Sequence, residues 1–171
     1  MPALQFAFLS SIRSHRPVTS NLVNIHATAV VLGTQGVLIR GQSGRGKSAL
    51  AIELIEAWRM HNQFARWVSD DRVLISEASS RLVAFAPEET AGLSEIRFGG
   101  IQSVIPQTAA VLDLVVDLES SDKLERLPKI LDVSLIENGP KLQRISVPFD
   151  NLNHAVRIIE KLLIGQILEL E

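Results

Sequence analysis

Eight consecutive residues carry the clearest chemistry in this sequence. In order they are Gly41, Gln42, Ser43, Gly44, Arg45, Gly46, Lys47 and Ser48, the G-x-x-x-x-G-K-S pattern of a phosphate-binding P-loop. The glycines let the backbone wrap around an anion, toward which N–H groups of the loop and the following helix point. Lys47 can contact the β- and γ-phosphates, and the Ser48 hydroxyl can ligate Mg²⁺. A ligand-free Gly-rich turn would not explain the adjacent Lys and Ser, so the motif predicts a nucleotide site.

Elements of the right type flank this motif. Residues 36–40 form an aliphatic run that predicts a buried strand, and residues 22–32 predict a preceding strand joined to it as a hairpin. Residues 48–58 predict a helix with an apolar face made of Leu50, Leu54, Ile55 and Trp58. We therefore expect an α/β protein, a P-loop nucleotide-binding fold with a mixed central sheet and flanking helices.

Two adjacent acids, Asp70 and Asp71, end a short strand predicted at residues 66–71. A P-loop site needs a carboxylate at the carboxyl end of a strand, close to Mg²⁺ and to the attacking nucleophile. Consecutive side chains of an extended chain point to opposite sides, so one acid can face the phosphates while the other is turned away. An acidic surface turn is the alternative, and position alone leaves the two interpretations open.

A second acid and base lie further along the chain. After two strands predicted at residues 73–75 and 82–85, residues 93–101 place Glu95 and Arg97 on one face of an extended segment. This pair directly precedes a loop that contains two consecutive glycines. A surface ion pair, which stabilises a protein little, is the alternative to a functional role.

The remaining elements are predicted from hydrophobic patterning. Residues 110–118 predict a central strand, residues 142–147 a last strand, and residues 154–164 an amphipathic packing helix. Arg126 belongs to a charged loop that follows the central strand. His26 lies within the first predicted strand, and its residue type alone favours a surface or half-buried strand histidine.

Composition narrows the class of protein. The 171 residues suit one domain, with a short leader expected at residues 1–20 and the domain at residues 21–171. A formal net charge of -2 shows no basic excess, so we expect no nucleic-acid partner. No apolar run approaches the roughly 18 residues of a membrane span, so we expect no membrane partner. The absence of cysteine excludes disulfides and Cys-ligated metals, and it fits a cytoplasmic protein.

From about residue 26 to residue 160, the sequence resembles the catalytic domain of HPr kinase/phosphorylase. A P-loop is shared by many families, whereas a Glu-x-Arg segment that follows an Asp-Asp segment is specific. The stretches that carry the resemblance are Ile25-His26-Ala27, the P-loop with its helix, Val68-Ser69-Asp70-Asp71, residues 93–101, residues 114–118 and Glu125-Arg126-Leu127.

The resemblance implies an activity and a set of partners. It implies a serine protein kinase that uses ATP and Mg²⁺ to phosphorylate HPr, a phosphocarrier of the sugar phosphotransferase system that regulates carbon metabolism. It also implies a homo-oligomer, a hexamer. The residues at the family's catalytic positions are His26, Lys47, Asp71 and Arg126. Asp71 would be the general base for the target serine. The metal ligands would be Ser48 and Glu95, with Asp70 and Arg97 in support.

The sequence also departs from the family pattern. We expect a truncated form without the family's additional N-terminal domain. The family's phosphorolysis loop corresponds to residues 148–154, where both basic side chains are missing and Asp150 stands instead. We therefore expect kinase activity with weak phosphorolysis. A P-loop kinase for a small-molecule hydroxyl and a non-enzymatic nucleotide-sensing module remain as alternatives, and pyrophosphate remains an alternative donor.

Overall fold

A computed structural model describes residues 22–96, 100–103, 106–126 and 129–168, with the backbone alone for 93–96, 100–103 and 166–168. The predicted leader therefore lies outside the described residues. Within these ranges the chain forms eleven strands and two α-helices. They are β1 (Val23–Ile25), β2 (Ala27–Leu32), β3 (Gln35–Arg40), α1 (Lys47–Met60), β4 (Ala65–Ser69), β5 (Val73–Ala78), β6 (Arg81–Phe85), β7 (Leu93–Ile96), β8 (Gly100–Ser103), β9 (Ala109–Glu119), β10 (Leu131–Ser134), β11 (Lys141–Pro148) and α2 (Leu152–Leu168).

Nine of these strands form one mixed sheet, which confirms the predicted fold class. Its order is β1-β5-β6-β9-β3-β2-β4, with β11 beside β9 and β10 beside β11, while β7 and β8 form a separate hairpin. Strand β9 runs parallel to both β3 and β11, and β2 is antiparallel to β3 and β4. The carboxyl ends of β3, β4, β9 and β11 therefore meet the amino end of β2 at one edge of the sheet.

The sheet is buried on both faces, and the alternation along β3 shows how. Val37 and Ile39 belong to an apolar cluster that includes side chains of α1 and α2, whereas Leu38 belongs to a second cluster that includes side chains of β5 and β6. This follows from the two-residue period of a strand. The predicted apolar face of α1 is confirmed, since Leu50, Leu54, Ile55 and Trp58 are all buried.

Gly36 allows the strand before the P-loop to lie close against β9. A Cβ atom at this position would stand 2.1 Å from the carbonyl oxygen of Val111, so any side chain would force the two strands apart. The pairing of β3 with β9 shifts register between Gly36 and Val37. The glycine thus lets β3 join the central strand directly ahead of the P-loop.

Two elements break or begin differently from the sequence predictions, and one strand is additional. The single strand predicted at 22–32 is interrupted at His26, because β1 pairs with β5 whereas β2 pairs with β3 and β4. Helix α2 begins at Leu152, earlier than predicted, because the Asn151 side-chain oxygen accepts a hydrogen bond from the His154 N–H at 3.1 Å. Strand β10 was not predicted. No helix among the described residues is both long and apolar enough to span a membrane.

Candidate active site

The sheet brings the predicted site residues to its shared edge. The P-loop follows the last residue of β3, the two acids follow β4, and His26 directly precedes β2. Ala27 pairs with Arg40 at this edge, and Arg40 pairs with Asp117 of β9. Groups that are far apart in the sequence therefore meet because their strands end together.

The P-loop has the backbone shape of an anion cradle. Gly46 precedes α1 in the left-handed conformation, with a φ of 86°, and Gly44 has a φ of 77°. A Cβ atom built on Gly44 would meet no other atom within 4 Å, so the space above the loop is open. The first turn of α1 contains no acidic side chain, which leaves the helix N-terminus positive. These features fit a bound phosphate group.

Lys47 is buried at the mouth of this cradle, and its side chain is hydrogen-bonded to three neighbouring residues. Its ammonium donates hydrogen bonds to the carbonyl oxygens of Gly41 at 3.2 Å and Gln42 at 3.4 Å. It also donates to Nε2 of His26 at 2.9 Å. Burial lowers the pKa of Lys47 below its ordinary value of 10.5, and the nearby Asp71 and Asp70 carboxylates oppose that shift.

His26 links Lys47 to Asp71. An ammonium group only donates, so the His26 Nε2 atom accepts and its proton is assigned to Nδ1. Nδ1 lies 2.9 Å from the Asp71 carbonyl oxygen and 3.0 Å from the Asp71 Oδ1 atom. His26 is exposed, and it lies in the break between β1 and β2 and not within a strand. That break places its side chain between two candidate site residues. Lys47, His26 and Asp71 form a hydrogen-bonded chain, which we call the relay.

Asp71 does not continue the extended backbone that the sequence predicted. Its φ is 64°, a left-handed conformation that Asp tolerates better than most residues. The turn is closed by a hydrogen bond from the Arg72 N–H to the Asp70 carbonyl at 2.7 Å. The two acids still face different ways: Asp70 is 7% exposed, whereas the Asp71 side chain is 73% exposed. A turn, and not strand alternation, separates them.

Asp70 faces inward and contacts the P-loop. Its Oδ1 atom accepts hydrogen bonds from the Ser48 hydroxyl at 2.9 Å and from the Thr28 hydroxyl at 2.8 Å. Thr28 was not predicted as a site residue. A signal was available, because Thr28 follows His26 by two residues and therefore shares its side of an extended chain.

The oxygen atoms around Ser48 fit Mg²⁺. A hydroxyl and a carboxylate are ligand types that this ion prefers, and Mg²⁺ is usually held by one or two carboxylates together with substrate phosphates. The described residues contain no cluster of three or more His, Asp or Glu side chains that could hold a metal alone. The side chain of Glu95 and all of Arg97 lie outside what the structure describes, so their assigned roles stay predictions.

Arg126 lies apart from the relay. It is exposed on the loop after β9, where it lines an open cleft of about 690 Å³. The cleft is also lined by charged and polar side chains of both signs: Lys123, Lys129, Arg144, His154, Glu119, Glu125, Ser121 and Ser146. The P-loop borders the same region, since the Arg45 guanidinium stacks 4.3 Å from the centre of the Phe149 ring. Arg126 therefore lies along this cleft, whose lining does not include Lys47, His26 or Asp71.

The segment at residues 148–154, which corresponds to the family's phosphorolysis loop, is hydrogen-bonded to the loop that follows β9. The Asp150 carboxylate accepts hydrogen bonds from the Ser121 hydroxyl and, at 3.2 Å, from the Ser121 N–H. The Ser121 hydroxyl, followed by its N–H, lowers the pKa of the Asp150 carboxyl. Asp150 therefore remains a carboxylate and connects the loops that follow β9 and β11.

The fold and the site define a P-loop protein with its phosphate cradle at the edge of a mixed sheet. The family model of the HPr Serine kinase C-terminal domain matches residues 18–170. This match covers most of the chain, and the chain therefore belongs to that family. The resemblance drawn from the sequence is confirmed.

Relatives and a solved structure agree with this assignment. The chain is 30% identical over 152 residues to an HPr kinase/phosphorylase of Mycoplasmopsis pulmonis, which covers 81% of this chain and 46% of the relative. It is 45% identical over 80 residues to an HPr kinase/phosphorylase of Clostridium acetobutylicum, a match that covers 47% of this chain and 24% of the relative. The chain thus spans less than half the length of these curated relatives. A structure of the Hpr(Ser) kinase/phosphatase from Coxiella burnetii superposes with a TM-score of 0.71 at 25% identity, covering 86% of this chain and 98% of that one.

Proposed function

We propose that this chain is an ATP-dependent kinase that phosphorylates a serine of HPr, the phosphocarrier of the phosphotransferase system. The observation that carries the proposal is the relay at the mouth of the P-loop, in which His26 connects the Lys47 ammonium to the exposed Asp71 carboxylate. The printed names of the relatives and of the solved structure supply the acceptor, HPr.

The P-loop side of the site would hold ATP. Loop N–H groups and the α1 N-terminus would bind the β- and γ-phosphates, and Lys47 would exchange its carbonyl contacts for phosphate oxygens. Ser48 and Asp70, together with Glu95 as the sequence predicts, would hold Mg²⁺. When bound, this ion neutralises phosphate charge.

Asp71 would be the general base. Its carboxylate accepts the proton of the serine hydroxyl while the serine oxygen forms a bond to the γ-phosphorus. The bond from that phosphorus to the bridging oxygen breaks, which leaves phosphoserine and ADP, and the proton passes from Asp71 to solvent. His26 would orient Asp71 through its Nδ1–H. Arg126 would contact the transferring phosphoryl group or the docked acceptor from the cleft.

The reverse reaction would be weak in this chain. Phosphorolysis requires inorganic phosphate, an anion, to attack phosphoserine. Where the family carries a basic residue, Asp150 presents a carboxylate that Ser121 hydrogen-bonds in its charged form. That charge repels an incoming phosphate. We also propose a hexameric assembly, as the family resemblance implies, and a cytoplasmic location.

The acceptor is tested by offering several substrates to the same enzyme. Purified HPr from the same cell, HPr with its target serine replaced by alanine, and free small alcohols are each incubated with ATP and Mg²⁺. Mass spectrometry should show one added phosphoryl group on unaltered HPr alone. Phosphorylation of the alcohols but not of HPr would contradict the proposal, as would ATP binding without transfer to any acceptor.

A further inference from the structure

We propose that Thr28 is a positioning residue for the Mg²⁺–nucleotide complex. Its buried hydroxyl holds the Asp70 carboxylate, and through Asp70 it fixes both the Ser48 hydroxyl and the turn that carries Asp71. The inference rests on the proposed nucleotide site, and it does not depend on HPr as the acceptor.

Thr28 is fully buried, and its hydroxyl donates a hydrogen bond to a carboxylate. It is 0% exposed, and Oγ1 donates to Oδ1 of Asp70 at 2.8 Å. A buried carboxylate is costly unless hydrogen bonds compensate it. The Thr28 hydroxyl therefore does more than fill space in the core, because it stabilises the buried Asp70 carboxylate.

Its place in the sheet explains why this contact connects two parts of the site. Strand β2 lies between β3, which leads into the P-loop, and β4, which leads into the acids, and Thr28 pairs with Ile39 of β3. On the other side, β2 pairs with β4 through Ala29 and Ser69 and then through Val30 and Trp67, which leaves one extra residue in β4. Such a bulge redirects the chain that follows it, and here Asp70 follows.

Three hydrogen bonds converge on one oxygen atom of Asp70. Oδ1 accepts from the Thr28 hydroxyl, from the Ser48 hydroxyl at 2.9 Å and from the Asp71 N–H at 3.2 Å. When Mg²⁺ takes the Ser48 hydroxyl as a ligand, the Ser48 contact with Asp70 must adjust. The contacts from Thr28 and from the Asp71 backbone can persist through that change, so Thr28 keeps the carboxylate in place as the metal loads.

The test compares two substitutions at Thr28. Thr28→Val keeps the shape of the side chain and removes the hydroxyl, whereas Thr28→Ser keeps the hydroxyl. Binding of a fluorescent ADP is measured while Mg²⁺ is titrated, and again with EDTA. Since loss of a group that supports a metal ligand costs about 10–100-fold in metal affinity, we expect Thr28→Val to raise the half-saturating Mg²⁺ concentration by that factor. Metal-free nucleotide binding should stay close to that of wild type, because Thr28 acts on the metal ligand, and Thr28→Ser should keep the wild-type Mg²⁺ dependence.

Two outcomes would overturn the inference. One is a Thr28→Val protein with a lower melting temperature but an unchanged Mg²⁺ dependence, which would make Thr28 a packing residue. The other is a Thr28→Ser protein with the same shift as Thr28→Val. If Thr28→Val does not fold, Thr28→Cys replaces it, because a thiol is only a weak donor and the same direction of shift is expected. Wild-type protein that binds no nucleotide would instead remove the proposed function.

Discussion

The candidate site has two halves, one at the ends of β2 and β4 and one at the ends of β9 and β11. They differ in how firmly their charged side chains are held. On the β2–β4 side, Lys47 and Asp70 are each 7% exposed and are tied to partners on other elements. On the β9–β11 side, Arg126 and Lys129 are exposed along an open cleft, and the exposed Asp150 accepts hydrogen bonds from Ser121 of that cleft. A nucleotide always presents the same phosphates, whereas an acceptor protein must enter and leave. Under the proposed function, the fixed half would hold the donor and the open half would receive the acceptor.

The difference follows from the chain segments that build each half. The relay and Asp70 lie at the ends of strands whose pairing leaves little freedom, and the P-loop is held between β3 and α1. Arg126 and Lys129 lie on the connection between β9 and β10, where the described chain has only a short 3₁₀ turn at Ser121–Lys123. Connections of this kind are less stable locally than the sheet they join.

The largest effect is expected on the fixed half. Asp71→Asn keeps the shape of the side chain and removes the base, so the rate of transfer to HPr should fall by about 10²–10⁴-fold. Nucleotide binding should persist, because the P-loop and Asp70 are unchanged. Single-turnover kinetics and calorimetric titration with a nucleotide measure the two properties. A transfer rate within tenfold of wild type would remove Asp71 from the role of base.

A smaller effect is expected on the open half. Arg126→Ala removes one charge-assisted hydrogen bond, and transfer should fall by about 10- to 100-fold, since such a bond contributes about 1.5–3 kcal/mol. Nucleotide affinity should stay the same. Lys129→Ala is the matched variant, because Lys129 lines the same cleft and pairs with Glu125 at 2.9 Å. Equal losses of transfer rate in the two variants would show that Arg126 only adds positive charge to the cleft and has no specific role in the reaction.

The pH dependence of nucleotide binding tests how the fixed half is charged. The folded pKa of Lys47 lies below the unfolded value of 10.5, so between these values the folded protein binds fewer protons and its stability rises with pH. Phosphates require the ammonium form. Nucleotide affinity should therefore fall as the pH rises through the folded pKa of Lys47, which lies below 10.5, by up to about tenfold per pH unit.

Lys47→Arg is the control for that profile, because a guanidinium stays charged throughout this range. Its affinity differs from that of wild type at neutral pH, but the alkaline decline should be absent. The same decline in both proteins would assign the effect to another group.

The smallest forward effect is expected at Asp150. Asp150→Lys places a cation where the family has one and removes the hydrogen bonds to Ser121. Forward transfer should change by about twofold, as for other exposed substitutions, while phosphorolysis of phosphoserine-HPr should rise. The forward and reverse rates are compared in one assay with added inorganic phosphate. An unchanged reverse rate would show that Asp150 does not limit that direction.

Local patterns were enough to predict the P-loop, α1 and the central strand. Each of these depends on residues that are close in the sequence, such as the Lys and Ser that follow three glycines. The mixed sheet was also predictable, because the 33–36 turn joins two strand patterns into a hairpin.

Contacts between distant residues account for what was missed. The interruption at His26 arises because β1 and β2 pair with different strands, and the His26 contact with Asp71 spans 45 residues. The Thr28 contact with Asp70 spans 42 residues, and the left-handed backbone of Asp71 depends on the turn that this carboxylate helps to hold. Apart from the two-residue spacing of His26 and Thr28, no local pattern indicates these contacts. Arg126 was assigned from family resemblance, and only the fold shows that it stands in the cleft.

Transfer of labelled γ-phosphate from ATP to purified HPr tests the central claim most directly. Wild type is compared with Lys47→Ala, with Asp71→Ala and with Lys161→Ala, which removes an exposed cation from α2. If the relay carries out the chemistry, wild type and Lys161→Ala should label a serine of HPr. Lys47→Ala and Asp71→Ala should give no label. Labelling that persists in Lys47→Ala or Asp71→Ala, or wild type that binds ATP without labelling HPr, would contradict it.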